Sequence, residues 1–143
     1  MGKRRATLMR GDEQEDVICV PIDQEDMKPG QHGPRYVDIY NRISAATLVQ
    51  RFYGIGHDKK RKPFAVMQNL QGLPTLASFI ASDSYPADVF SRLRFAYDIA
   101  CTIAYLHEAQ ILVKNLADDN IVLVQKGTGN KPVICELEQA RLV

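Results

Sequence analysis

At 143 residues the chain is long enough for one domain with a real core, and 45% hydrophobic with 24% charged residues fits a globular protein rather than a disordered or fibrous one. A formal net charge of +1 gives no field that would drive it onto nucleic acid or an anionic membrane. No apolar leader opens the chain and no run reaches the roughly 18 apolar residues of a spanning helix, so a cytoplasmic setting without membrane insertion is expected.

In chain order, Ala6–Arg10 is a short strand, residues 11–15 (Gly-Asp-Glu-Gln-Glu) a turn, and Val17–Val20 a β-branched strand closing at Pro21, together a hairpin. Residues 23–34 form a polar loop punctuated by Pro29, Gly30, Gly33 and Pro34. Arg35 to Ala46 carries Tyr36, Ile39, Tyr40 and Ile43 on one helical face. Residues 48–55 and 64–70 read as strands split by a basic turn at 57–63, and residues 76–81 as a short helix. The strongest helix runs from Ala87 to Ala109. Its stripe is Val89, Leu93, Ala96, Ala100, Ile103 and Ala104, with Phe90, Tyr97 and Leu106 beside it, and Pro86 and Asp88 suit its start. Two short strands follow, Ile111–Val113 and Ile121–Val124, then a turn over residues 127–132 and a last strand, Val133–Cys135. The predicted class is α+β with segregated strands.

Several features carry little chemistry by themselves. The basic runs at residues 3–5 and 59–62 read as a mobile end and a solvated turn. Cys19, Cys101 and Cys135 show no metal spacing and read as buried free thiols in a reducing compartment. Gly54 and Gly56 at a strand end are weak evidence for phosphate binding. Asp118 and Asp119 point apart and read as a charged turn, not an acid/base pair. His32 and His57 fall in polar loops.

The stretch YLHEAQILVKNLADDNIVLV, residues 105–124, resembles the protein-kinase segment that runs from a long helix into the catalytic loop, YLH, then HRD, then L-x-x-x-N and a strand. Further pieces resemble the family in order. VICVPID is similar to the strand bearing the ATP-anchoring Lys, and LVQRFYGIG to the strand after the Glu-bearing helix. FAVMQNLQG resembles the gatekeeper and hinge, and ICELEQARL the metal-binding DFG strand. The flavour is nearer the tyrosine-kinase-like branch. The resemblance implies a partial kinase fold: residues 1–70 as a partial N-terminal lobe, and residues 71–143 as the start of a helical C-terminal lobe, truncated after the DFG-like position.

It also implies a site. Met67, Gln68 and Leu70 stand at the gatekeeper and hinge and Cys19 in the adenine pocket, while Asn120 and Glu136 stand at the two metal-holding positions. Asn115 stands where the catalytic Asp belongs, and a neutral amide cannot take a proton. Lys114 replaces the preceding Arg, Val113 the His, and Pro21 the ATP-anchoring Lys, with Lys28 a remote substitute. The Glu partner falls near Tyr36, with Asp38 on another helix face. Leu137 replaces the Phe of DFG, and Glu138 its Gly, adding a carboxylate where phosphates would lie. His107 matches a hydrogen-bonded structural His. The glycine-rich loop, the activation segment and the later helices are not in the sequence, which leaves the stripe of the long helix short of cover and open to partners, dimerisation or aggregation.

The expected function is a pseudokinase-type binding or regulatory module that takes protein partners. ATP with Mg²⁺ is held weakly or not at all, and nucleic acid is not a partner. Two alternatives stay open: an active kinase seen through an incomplete chain, and an unrelated α+β interaction domain.

Overall fold

The computed structural model describes residues 2–23, 35–127 and 129–143. They cluster into two compact units: one holds the described residues up to Ser44 together with Arg51–Asn69, the other Ala45–Gln50 with Leu70–Val143. The architecture is α+β, as the sequence implies.

The first unit is built on a four-stranded antiparallel sheet. Strands β1 (Arg4–Arg10), β2 (Glu13–Pro21), β3 (Phe52–His57) and β4 (Pro63–Gln68) lie in the order β1-β2-β4-β3. The first hairpin is tighter than its polar residues suggest. Arg10 pairs with Glu13, so Gly11 and Asp12 alone make the turn, and Gly11 supplies the positive φ of 61° that such a turn asks for. Alternating side chains sort the sheet's faces, and Val17, Ala65 and Met67 are almost wholly buried. Helix α1 (Arg35–Arg42) brings Ile39 and Tyr40 into this core, and Tyr40 stacks on Phe52. The helix stops four residues earlier than its periodicity predicts. Ile43 donates back three residues to the Tyr40 carbonyl, a tightened last turn from which the chain departs.

The two glycines of β3 have separate structural reasons. A Cβ on Gly56 would sit 2.6 Å from the ring of Phe64, which pairs with it across β3 and β4, and the register shifts beside Gly54, whose φ is +140°. The basic run is an ordered turn. One oxygen of Asp58 accepts from the backbone N–H groups of Lys60 and Lys62, both at 2.8 Å. Those bonds hold the Asp58 carboxyl below its ordinary pKa.

The second unit contains α2 (Leu76–Ile80), α3 (Val89–Glu108), β5 (Ile111–Leu112), β6 (Ile121–Lys126), β7 (Gly129–Ile134) and β8 (Arg141–Leu142). The predicted strand 48–55 divides between the units. Val49 bridges in parallel to Ile134, with Ile134 N–H donating to Leu48 and Gln50 N–H to Ile134, while the strand proper starts at Phe52. Strand β7 also begins earlier than expected and absorbs Pro132. That proline is tolerated because its partner Leu123 turns its own N–H away, to the Pro74 carbonyl at 2.9 Å, so no ladder donor is needed there. Strands β5 and β8 form a short antiparallel pair; the sequence reading did not find β8.

Helix α3 starts at Val89 because the Asp88 carboxylate accepts from Ser91 N–H at 2.8 Å and caps it. Its two faces are inverted relative to simple amphipathic expectation. Thr102 and Leu106 are its buried residues, and Asp98 and Ile99 are half-buried beside them. The apolar stripe faces water, with Val89, Leu93 and Tyr97 each more than half exposed and Phe90 85% exposed. Cys101 is exposed with it, so the expectation of three buried thiols fails there; Cys19 and Cys135 are half-buried, and none of the three is in a disulfide.

The faces of α3 are separable by mutation. Leu106→Ala is expected to cost about 3 kcal/mol of unfolding free energy in urea, from lost burial plus a cavity. Leu93→Ser should change it by less than about 0.5 kcal/mol. The reverse ranking would show that α3 packs through its apolar stripe.

Candidate functional site

The residues singled out by the sequence divide between the two units, and each half is built by its own unit. In the first, the register of β2 on β4 sets Ile18 opposite Met67, Cys19 opposite Val66 and Pro21 opposite Phe64. Met67 is 2% exposed, a core residue of the sheet. Burial pushes the Cys19 thiol above its usual pKa. Pro21 closes β2, and the next N–H, that of Ile22, donates to the Pro63 carbonyl at 3.2 Å. Proline brings no charge to this strand end. On α1, Tyr36 packs edge-on against Tyr40 and Asp38 is exposed. Lys28 and His32 lie outside the described residues.

Gln68 and Asn69 end this unit. Gln68 donates its N–H to Arg51 O at 2.8 Å, and its side-chain oxygen accepts from Arg51 N–H at 3.3 Å. Asn69 is tied to Asp16 twice, by its N–H to the Asp16 carbonyl at 3.2 Å and by its amide to the carboxylate at 3.1 Å. Arg5 grips the same carboxylate with two N–H groups, at 2.9 and 2.8 Å. These bonds hold Asp16 below the usual carboxylate range, the guanidinium hydrogen bond first. Leu70 belongs to the second unit, buried with Val122 and Val133.

In the second unit the loop between β5 and β6 is organised by Asn120. It closes a short 3₁₀ turn, Asp118–Asn120, and its N–H donates to Ala117 O at 3.0 Å. Its side-chain NH₂ donates to the Asn115 backbone carbonyl at 3.0 Å, spanning the loop. Its own carbonyl accepts from Cys135 twice, from the N–H at 3.1 Å and the thiol at 3.2 Å. The Cys135 thiol bond is the part of this arrangement that sequence reasoning missed. An apolar position beside a strand end gives no hint that its sulfur would donate.

Asn120 and Asn115 are half-buried, whereas Lys114, Asp118 and Asp119 are exposed, the last two as a charged turn. Glu136 follows directly on Cys135, exposed and in the left-handed conformation at φ 59°, ψ 49°. Leu137 beside it is wholly buried. The Glu138 side chain lies outside the described residues. His107 is exposed. Its backbone carbonyl, taking Gln110 N–H at 2.9 Å, serves the helix end, in place of the hydrogen-bonded ring that was expected. Among the described residues no group of three or more His, Cys, Asp and Glu side chains gathers as a metal set, and no helix is long and apolar enough to cross a membrane.

A family model described as "Protein tyrosine and serine/threonine kinase" matches residues 6–135 of the chain. The chain therefore belongs to the protein kinase family, and its sheet, long helix and hairpins are consistent with a partial form of that fold. A search among curated proteins found no significant match.

Two measurements check this geometry. Asn120→Ala should lower the unfolding free energy by about 1 kcal/mol and speed amide exchange across residues 115–120; unchanged exchange would mean that the side-chain bond does not organise the loop. For Asp16 the folded carboxyl is the stronger acid, so the stability from its pairing is complete above the ordinary carboxylate pKa and is lost as pH falls through the depressed folded value. Asp16→Asn should flatten that acid limb in thermal melts.

Proposed function

We propose that this member of the kinase family acts as a pseudokinase-type binding or regulatory module, with weak or no ATP binding and no efficient phosphoryl transfer. What supports the reading is Asn115, which by resemblance to the family stands where the catalytic Asp belongs. An amide has no proton affinity to lend the attacking hydroxyl, and a positioned base contributes typically about 10²- to 10⁴-fold. Phosphoryl transfer otherwise rests on positioning and charge, so the remaining charged parts decide what survives.

The donor set does not fit a tightly held MgATP. Pro21 supplies no cation at the strand end where the family anchors phosphates, and Lys114 at the loop keeps charge without the planar fork of Arg. Asn120 spends its NH₂ on Asn115 and leaves its amide oxygen as a donor, and Glu136 offers a carboxylate on a longer arm than Asp. Those two oxygen groups favour the second reading, an active or nucleotide-binding kinase seen through an incomplete chain. Cysteines outside any disulfide suit a reducing, cytosolic setting.

The test is a thermal shift with ATP and Mg²⁺, followed by a phosphotransfer assay. No shift is expected at millimolar ATP, whereas a ligand at a hundredfold its Kd would add about 2.7 kcal/mol. Neither Asn115→Asp nor Pro21→Lys alone should create activity, because the two losses are independent. Phosphotransfer by the unaltered chain, abolished by Asn120→Ala, would sink the pseudokinase reading and support the second.

A further inference from the structure

The second unit holds a cavity of about 450 Å³ that is separate from the loop of Asn115 and Asn120. Three cations line it: Arg94 from α3, Lys126 from β6 and Lys131 from β7. No basic run in the sequence announces them, because each comes from a different element. Asp98 is the one carboxylate in the lining, and its charge is already met. Lys131 Nζ lies 2.9 Å from one of its oxygens, and Arg94 Nε 3.7 Å from the other. Lys126 reaches only a neutral acceptor, the Thr47 carbonyl at 3.0 Å. The lining thus carries a surplus of two positive charges on a chain whose formal net charge is +1. A concave wall of one sign concentrates its field on an incoming anion.

The lining also includes the apolar side chains of Phe79, Phe95 and Pro86, with Ser84, Ser91 and Asn130 supplying hydrogen-bonding groups. A bare phosphate would want convergent donors, above all the free N–H groups of a helix start. Here Ser91 N–H is already given to Asp88. Cations together with aromatic and proline carbons in one lining, and room for two or three side chains, suit an extended chain that carries both acidic and apolar residues.

We propose that this cavity is a docking site for an acidic peptide segment of a partner protein, with its carboxylates on Arg94 and Lys126 and a neighbouring apolar side chain against Phe79 and Phe95. The inference does not rest on the reading of the nucleotide site, and its test involves no nucleotide. A fluorescein-labelled peptide of repeated Glu-Leu is titrated into the full chain and followed by anisotropy. Binding that weakens with added salt is expected. Arg94→Gln combined with Lys126→Gln should weaken it by about tenfold. Lys60→Gln combined with Lys62→Gln removes the same charge from the exposed turn of the other unit and should leave affinity unchanged. Four results would overturn the proposal. They are no binding at low ionic strength, equal loss in both double variants, equal affinity for a Glu-Ser peptide, or displacement of the peptide by inorganic phosphate at equal concentration.

Discussion

Asn120 is the point through which the second unit's loop is specified. One residue closes the 3₁₀ turn, grips the loop five residues back through its amide, and accepts from both donors of Cys135. A buried or half-buried polar group must be satisfied or its desolvation goes uncompensated, and here each bond satisfies a main-chain group as well. The direction of Cys135 and Glu136 follows from it, and so does the distance the loop can wander. On the proposed pseudokinase reading, this is how the loop would keep its form with Asn115 in place of an acid. The scaffold depends on an amide and a carbonyl, and neither is the group that takes a proton.

The two units rely on different physics. The sheet of the first is held by strand alternation, a tight glycine turn and surface ion pairing such as Arg5 with Asp16, which salt screens readily. The second is held by a helix whose inward face is partly polar. Asp98 is packed under Lys131 and Arg94, and Thr102 Oγ returns its hydrogen to the Asp98 carbonyl at 2.8 Å. Only Asp98 is well covered, at 12% exposed, while Lys131 and Arg94 keep 29% and 70% of their side chains in water, so solvent screens the pairing and it stabilises modestly. The polar inward face and the apolar outward face of α3 are therefore two sides of one arrangement.

Much of this was legible from the residues. The order of elements, an acidic start to the long helix at Asp88 and the short helix at residue 76 follow from periodicity and helix-end chemistry, whereas the frame from Tyr105 to Asn120 came from the family resemblance. What failed to show was decided by tertiary pairing. The strand expected at 48–55 was divided because Val49 found Ile134 and Phe52 found Met67, partners far away in sequence. Strand β8 is two residues long and exists only because Ile111 and Leu112 offer it an edge. Pro132 argued for a turn, and only the outward N–H of Leu123 explains why it sits inside a strand. The thiols were read from neighbours in the chain, and Cys101 followed its helix face into water. The cationic cavity was invisible for the same reason, since three separate elements contribute one charge each.

Glu136 holds a left-handed backbone although it carries a side chain. A left-handed residue that is not glycine costs roughly 1–2 kcal/mol against an ordinary conformation, and the cost is smallest for Asn and Asp and severe for β-branched residues. Drift at this position is therefore filtered by shape before it is filtered by charge. Valine, isoleucine and threonine are excluded whatever the chemistry requires. Glu is not among the residues this conformation favours, so the backbone geometry by itself does not account for a carboxylate at position 136.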